Sequence, residues 1–285
     1  MTGMDLTAHP WAIHPGAMPV QLPEPPAGSA GARAAPVRYD GEPVGVLRCH
    51  GVVVPRCHAW LETAGYAVSC ANLPGRVARA AEQYSAVVLD WNSPGGSVAG
   101  VAECAAAIAE TAKSAKVVSV ANYLIASAAY YIASSSSYIA VSPSALVGSV
   151  GVLTTRVSAV RALEASGYEY RLVTAGEGKA DGHPATPITP AEAERLQAMV
   201  DGFYADFVGA AARGRGVPSS AVRDSWGAHL WRGADSVSLG MSDRVMSLPA
   251  MVQRLSTVQG RTSIRRTRAS AAYTEDNIHT TEEEP

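Results

Sequence analysis

Short apolar stretches alternate with alanine-rich amphipathic stretches through the middle of the chain. Two stretches, Val44–Val54 and Ser85–Trp91, are β-branched over strand-like lengths and predict buried strands. From Ser97 to Ala115 the apolar residues recur every three or four positions, which predicts a helix with one buried face. The alternation continues with further strands predicted at Lys116–Asn122, Tyr138–Ser142, Val150–Thr155 and Glu169–Thr174, and with helices predicted at Ala128–Ser134 and Ser158–Gly167. This order indicates an α/β fold with a layered parallel sheet and helices.

A longer helix is predicted after this alternation. Thr189-Pro190-Ala191-Glu192 has the form of a capping box with proline at the first helical position, so the helix should extend to about Ala212. Residues 229–245 predict a short strand, a turn and a small helix, followed by an amphipathic helix through Leu255. No period of 20 to 50 residues recurs, which excludes repeat architectures.

The two ends of the chain differ from its middle in composition. Residues 1–43 are rich in proline, glycine and alanine, which is typical of an extended or mobile arm. Residues 259–285 have a basic cluster before an acidic end and few large apolar residues, so we expect a disordered tail. A single domain is therefore predicted for residues 44–258.

Composition narrows the classes of partner. The chain has 285 residues, 47% of them hydrophobic, and 23 basic against 25 acidic side chains, so its net charge gives no case for nucleic acid or an anionic membrane. Its four cysteines lack a CxxC pair and a convincing zinc spacing, so we expect reduced thiols, no metal site and no cofactor. With no signal peptide and no apolar run of membrane-spanning length, the chain is expected to be soluble and cytoplasmic.

The first candidate for chemistry is the turn within Val88–Gly100. A predicted strand ends there, and Asn92-Ser93-Pro94-Gly95-Gly96 leads into a helix. Glycines expose backbone N–H groups, which can bind a phosphate or form an oxyanion hole for acyl transfer. The motif lacks the lysine of a Walker A loop and does not match GxGxxG. A plain strand-to-helix turn is the alternative.

The second candidate lies in Leu124–Ser137, which contains five serines and no histidine, aspartate or glutamate. Ser127 follows a predicted strand and precedes a predicted helix, where a nucleophile can be exposed beside the N–H group of Ala128. The four serines at Ser134–Ser137 come at the far end of that helix, where serine commonly ends a helix or forms a turn. Position therefore favours Ser127 as the nucleophile.

A serine nucleophile needs a base to accept its proton. None of the seven histidines has a recognisable triad context, and only His183 lies in a promising loop. The same loop, Thr174–Pro184, contains Lys179. Lysine acts as a general base where burial and neighbouring dipoles lower the pKa of its amine, whereas arginine stays protonated. An ordinary solvated loop lysine is the alternative.

Four segments in series resemble one known family. They are SPGGSV, ASAAYYIA, SPSALVGSVGV and GKADGHP, and together they extend the resemblance over about residues 44 to 250. In this order and spacing they are similar to the S49 peptidases, which include signal peptide peptidase A and the phage head maturation proteases called protein C. The resemblance implies a ClpP/crotonase-type fold and a Ser–Lys dyad in place of a Ser–His–Asp triad.

The resemblance also implies roles for individual residues. Ser127 matches the nucleophile and Lys179 the general base, while Gly96 and Ala128 match the residues whose N–H groups form the oxyanion hole. Ser149 matches the serine that orients the lysine. Many family members have glycines where this chain has Ala128-Ala129, so the local backbone is expected to differ slightly from theirs.

Within the family, the absence of an anchor and the segment HPWAIHPGAM resemble the phage branch. The implied function is a serine endopeptidase of capsid assembly that cleaves scaffold, portal or other head proteins in the host cytoplasm or the assembling prohead. A homo-oligomer is expected, with no nucleic-acid partner. A soluble signal-peptide-peptidase-like enzyme and a non-catalytic capsid-assembly or scaffolding component are the alternatives. Acyl-CoA chemistry of the crotonase type is a further alternative from the fold alone.

Overall fold

The computed structural model describes residues 11–13, 37–38 and 43–257. The strands are β1 (Trp11–Ile13), β2 (Val37–Arg38), β3 (Val44–His50), β4 (Val52–Val54), β5 (Ala67–Ser69), β6 (Ala86–Ser93), β7 (Gly95–Ser97), β8 (Val117–Ala126), β9 (Tyr138–Val141), β10 (Leu146–Gly148), β11 (Leu230–Arg232) and β12 (Arg244–Val245). The helices are α1 (Ala59–Ala64), α2 (Leu73–Gln83), α3 (Val101–Ser114), α4 (Ala128–Ala133), α5 (Val160–Ala165), α6 (Pro190–Arg215), α7 (Gly233–Ser238) and α8 (Leu248–Ser256), with a π-helical segment at Ala221–Trp226.

The larger sheet has eight strands and is mainly parallel. Its path is β11-β10-β8-β6-β3-β2, and β9 pairs with the first half of β8 and with β12. The central pairs β3·β6, β6·β8 and β8·β10 are parallel, so the carboxyl ends of these strands lie at one edge of the sheet. Ligands of open parallel sheets bind at this edge, which is where a site is expected.

A smaller second sheet has the order β1-β7-β4-β5. The predicted strand Val44–Val54 is divided between the two sheets, because Gly51 takes φ +85° and turns the chain after β3. Only glycine adopts this conformation readily, and the turned Gly51 N–H donates to the carbonyl of Asn92 at 3.0 Å. The turn therefore couples the small sheet to the end of β6.

Both faces of the larger sheet are covered, as a parallel sheet requires. On one face, side chains such as Leu89, Trp91 and Ile125 pack against α2, α3 and α4 within the main core. On the other face, Val88 and Val120 belong to a second core with residues of α8. The predicted α/β architecture is thus confirmed. Among the described residues, none of the helices combines the length and the hydrophobicity of a membrane span.

Several element predictions are confirmed and others are wrong. The helix after Thr189 begins as predicted, since Thr189 Oγ1 accepts from the Glu192 N–H at 3.1 Å, and it extends to Arg215. The segment Val150–Thr155 forms no extended strand, since β10 ends at Gly148. Residues 169–174 form no strand and are solvent-exposed. The predicted tail, residues 259–285, lies outside the described residues.

A buried ion pair ties the end of α6 to the larger sheet. The guanidinium of Arg215 lies 2.9 Å from Asp243, and the two side chains are 2% and 0% exposed. Asp243 Oδ2 also accepts from the N–H of Ile139 on β9, and Arg215 Nε donates to the carbonyl of Gly240. These contacts hold α6, β9 and the segment before β12 together.

Replacing Asp243 with asparagine should lower the free energy of unfolding by about 3–5 kcal/mol, because it leaves the buried Arg215 charge without its counterion. Urea denaturation followed by circular dichroism measures the change. Glu110→Gln, which removes the partner of exposed Lys113, is the matched control and should have little effect. A loss no larger than that of the control would contradict the role assigned to Asp243.

Candidate active site

Ser127 occupies a strained turn between β8 and α4. It has φ 53° and ψ −122°, a conformation that residues with a side chain rarely adopt. Its N–H donates to the carbonyl of Gly148 at 2.8 Å, and its carbonyl accepts from the Tyr131 N–H at 3.0 Å. Such strain persists only where surrounding contacts over-determine the backbone, and it is common at functional turns. The predicted strand-to-helix turn is therefore present, with Ser127 at its apex.

Three of the other four serines of the segment have side-chain hydroxyls with close partners. Ser134 Oγ and Ser135 Oγ donate to carbonyls one turn back in α4, at 2.7 and 2.6 Å. Ser136 is buried, and its hydroxyl lies 2.7 Å from Ser119 Oγ, which accepts from the indole of Trp91. The hydroxyls of these three serines thus have partners at the helix end or in the core. Within the described ranges, the hydrogen bond of Ser127 Oγ is a long one, 3.5 Å to the carbonyl of Gly151.

The segment after β10 lies directly beside Ser127. Gly148 pairs with Ala126 in the parallel register of β10 and β8, which places Ser149 next to the turn. Ser149 has φ 55° and is 6% exposed, and its N–H donates to the carbonyl of His229 at 2.7 Å. Two strained serines therefore lie at adjacent strand ends.

The predicted turn from Asn92–Gly96 directly into a helix is wrong, because Gly95–Ser97 forms strand β7 of the small sheet and α3 begins only at Val101. Helix α4 packs against β7. Gly96 is opposite Val53 of β4, and a Cβ atom at Gly96 would lie 1.9 Å from the Val53 carbonyl oxygen. Only glycine fits this close approach. Ala128 begins α4, and N–H groups in the first turn of a helix have no partner within that helix. The structure thus brings together the elements carrying Ser127, Ala128, Ser149 and Gly96.

Lys179 lies elsewhere, in the turn that precedes α6. Its side chain is solvent-exposed, and its N–H donates to the carbonyl of Gly176 at 3.3 Å. Among the described residues, its ammonium group makes no hydrogen bond or ion pair, and so none with Ser127. The single chain therefore does not join Lys179 to the serine cluster.

The sequence analysis missed the residues that anchor the Lys179 turn. Arg156 donates to Glu192 Oε1 at 2.6 Å and to the carbonyl of His183 at 2.9 Å. Glu192 Oε1 also accepts from the Gly182 N–H at 2.7 Å. The Arg156 side chain and the Gly182 N–H hold the pKa of the Glu192 carboxyl below its usual value. An ion pair that is 9% and 4% exposed thus fixes the segment 182–186 to the start of α6.

A cavity of about 270 Å³ is lined by residues that closely follow Gly96, Ser127 and Gly151 in the chain, and by residues of α3 and α6. Its walls come from segments that directly follow the cluster residues: Val98–Gly100 after β7, Tyr131 one turn after Ser127, and Val152 after Gly151. Phe203 and Phe207 of α6 close its far side, and the exposed carboxylates of Glu103 and Asp206 lie at its border. Burial raises the pKa of the Tyr131 hydroxyl, and nearby Asp206 raises it further. The cavity can accept an apolar side chain of a bound peptide.

Other nucleophile and base candidates are less suitable. Burial raises the pKa of the Cys49 and Cys57 thiols to about 12, so neither is a thiolate at neutral pH. The Nε2 atom of His50 pairs with Asp90 at 3.1 Å, and its Nδ1 atom faces Gly65. No group of three or more acidic, cysteine or histidine side chains in the described ranges could hold a metal ion.

A bulge in β8 is a further feature that the sequence did not signal. Trp91 pairs with Ala121 and Asn92 with Leu124, so Asn122 and Tyr123 are extra residues in the β8 strand. Tyr123 has φ 103° and is 61% exposed. Bulges often re-aim a strand next to an active site, and this one comes just before Ser127.

Three known proteins are similar to this chain in sequence. The chain is 28% identical over 206 residues to capsid assembly protease C of Escherichia phage lambda, covering 72% of this chain and 46% of that protein. It is 26% identical over 204 residues to head-tail preconnector protein GP5 of Enterobacteria phage P21, covering 70% and 40% respectively. A 100-residue match to putative protease slr0021 of Synechocystis is 28% identical, covering 35% of this chain and 36% of that protein. The matched regions thus span less than half the length of each of these relatives.

The family itself is shown by a match over more than half of the chain. The model for Peptidase family S49 matches residues 109–261, which include the Ser127 turn, β10 and α6. The layered α/β architecture with parallel strands fits the ClpP-like fold that the sequence resemblance implied. The chain belongs to peptidase family S49.

Proposed function

We propose that this chain is a serine endopeptidase in which Ser127 is the nucleophile. The observation that carries the proposal is the strained turn at Ser127, held by Gly148 at the carboxyl edge of the parallel sheet. A hydroxyl at such a turn is presented to a substrate at the end of a strand, beside the N–H groups of a helix start. Membership of a peptidase family supports the same chemistry.

The proposed reaction is acyl transfer with Lys179 as the general base. Neutral Lys179 accepts the Ser127 hydroxyl proton while Ser127 Oγ forms a bond to the peptide carbonyl carbon. The N–H groups of Gly96 and Ala128 stabilise the resulting oxyanion, and Ser149 orients the lysine. The lysine ammonium then protonates the leaving amine as the C–N bond breaks. Water repeats the sequence on the acyl-enzyme and releases Ser127.

The exposed position of Lys179 adds a requirement to this mechanism. A lysine is protonated in water at neutral pH, so the base must lose its solvent before it can accept a proton. In the single chain, Lys179 is exposed while Ser127 is 1% exposed. The dyad must therefore be completed by movement of the loop onto the site, by bound substrate or by association with a second copy. The proposed homo-oligomer supplies such a covering surface.

The proposed biological role is proteolysis of head proteins during capsid assembly. Two relatives carry phage names, capsid assembly protease C and head-tail preconnector protein GP5, and each match covers at least 70% of this chain. The substrates would be scaffold, portal or other capsid proteins in the host cytoplasm.

Replacing Ser127 with alanine should abolish cleavage of labelled casein and of head proteins encoded by neighbouring genes, because no other group supplies the nucleophile. Lys179→Ala should reduce the rate at least about a hundredfold, since positioned proton transfer contributes roughly that much or more. Ser135→Ala and Lys113→Ala are matched controls, because Ser135 serves α4 and Lys113 pairs on the surface. Gel electrophoresis and mass spectrometry measure the products.

The pH dependence tests the lysine separately from the serine. Because protonated lysine cannot accept the proton, the rate should rise with pH, and a profile flat down to about pH 4 would contradict a lysine base. Equal products from wild type and Ser127→Ala would instead indicate a non-catalytic assembly component.

Replacing Glu192 with glutamine tests whether the Arg156 anchor positions Lys179. The variant should lower kcat by about ten- to a hundredfold, since small misplacements of catalytic groups cost on this order, and leave KM unchanged. Because the pKa of Glu192 is lowered, the wild-type anchor is present above the ordinary carboxyl pKa and is lost only as pH falls through the lowered value. The Gly182 amide resonance, followed by NMR, should therefore titrate below the usual glutamate range.

Arg195→Gln is the control, because it removes only an exposed contact with Asp181 in the same segment. Equal kcat values for Glu192→Gln and Arg195→Gln would show that the anchor does not act on catalysis.

A further inference from the structure

Strand β7 has two edges, and they have different partners. One edge pairs in parallel with β4 of the domain, with Gly96 opposite Val53. The other edge pairs with β1, which comes from the amino-terminal arm. Without β1, this second edge would present unpaired N–H and C=O groups, which readily accept an added strand. The segment that carries the proposed oxyanion donor is thus an edge that binds an extended peptide.

The arm pairs with this edge in a defined register. Trp11 is opposite Ser97, Ala12 is opposite Gly96 and Ile13 is opposite Gly95, and the two strands are antiparallel. Main-chain hydrogen bonds of this kind depend little on the side chains of the added strand. An extended segment of another protein with the same direction can therefore form the same pairing in place of residues 11–13.

The register places the arm where the acyl part of a substrate would lie. A peptide that reacts with Ser127 must bring a carbonyl group to the Gly96 N–H, and the arm already places Ala12 opposite Gly96. The cavity lined by Val98, Tyr131 and Val152 follows directly from the β7 end that is opposite Trp11. An extended peptide along β7 would thus pass both the proposed oxyanion donor and this cavity.

Ser127 is buried in the structure in which β1 is paired with β7. Its exposure is 1%, although α4, which begins next to it, packs against β7. A chain with β1 in place therefore offers an incoming peptide neither a free β7 edge nor an open nucleophile. Both have to become accessible before a substrate can react.

We propose that residues 11–13 act as an intramolecular competitor that occupies the substrate-binding edge of β7. The effect of this competition on cleavage rests on the proposed peptidase function. The competition itself is a binding equilibrium and does not require catalysis. A tethered strand has an effective concentration on the order of a millimolar, so it excludes weakly binding peptides and yields to extended segments that bind well. The arm thereby limits cleavage to substrates that can displace it.

The direct test uses the full chain with Ser127→Ala, so that no cleavage occurs. In a strand, successive N–H groups point to opposite sides, so Ala12→Pro with Ile13→Pro removes whichever N–H donates to β7. Ala17→Pro with Met18→Pro introduces two prolines into the arm outside β1 and is the matched control. The probe is a fluorescein-labelled peptide with the sequence of residues 8–16, and fluorescence anisotropy measures its affinity.

The Ala12/Ile13 proline variant should bind this peptide about tenfold or more tightly than the control does, because the tethered competitor has been released. A peptide N-methylated at the positions of Ala12 and Ile13 should not bind, which tests main-chain pairing without altering the protein. Equal affinity in the two variants, or binding by neither, would overturn the inference. Thermal unfolding of both variants checks that the domain is intact.

Activity assays of the same proline variants with Ser127 retained separate this inference from the proposed function. The Ala12/Ile13 proline variant should cleave labelled casein with a lower KM and the same kcat as the Ala17/Met18 control. If both variants cleave with equal KM, the competitor role fails while the peptidase function stands. If neither cleaves and the difference in peptide affinity persists, the proposed function fails and the competition stands.

Discussion

The hydrogen bond from the Ser127 N–H to the Gly148 carbonyl is the contact on which the candidate site depends. It joins the ends of β8 and β10, whose parallel register sets Ala126 opposite Gly148. Ser127 and Ser149 both take positive φ at this junction, so neither turn is a favourable local conformation by itself. The strain is compensated by the sheet on one side and by the buried helix α4 on the other.

The surroundings of this junction differ in how firmly they are held. Tyr130 on α4 donates to the Met241 carbonyl and packs edge-on against Trp226. The helix that follows Ser127 is therefore part of the core. Lys179 lies in a surface turn, and the ion pair of Arg156 with Glu192 holds the residues that follow this turn in place. Ser127 is buried and Lys179 is exposed, so the proposed dyad requires a further surface that covers the Lys179 loop.

Substrate access and the arm share one physical basis, which is the hydrogen-bonding edge of β7. A three-residue strand of glycine, glycine and serine has little side-chain surface, so its recognition of a peptide relies on main-chain groups and on the neighbouring cavity. The same property lets the chain's own residues 11–13 pair there. An extended arm and an extended substrate are chemically equivalent at this edge.

Much of this protein follows from its sequence, because local patterns reflect local physics. Alternating apolar stretches predicted the α/β order, the capping box at Thr189 located the start of α6, and position between strand and helix distinguished Ser127 from Ser134–Ser137. The strand predicted at 169–174 was wrong, because strand propensity depends on packing against a sheet and these residues are solvent-exposed. The Lys179 role remains a prediction from resemblance.

Tertiary structure alone decided which distant groups meet. The division of Val44–Val54 between two sheets, the Arg156–Glu192 anchor and the pairing of β1 with β7 join residues far apart in the chain, so no local pattern encodes them. These long-range contacts depend on burial of apolar residues, on charge pairing away from water and on the pairing of strand edges. The sequence by itself determined most helices and strands and the candidate nucleophile. The fold decided which residues surround Ser127 and which segment pairs with the edge of β7.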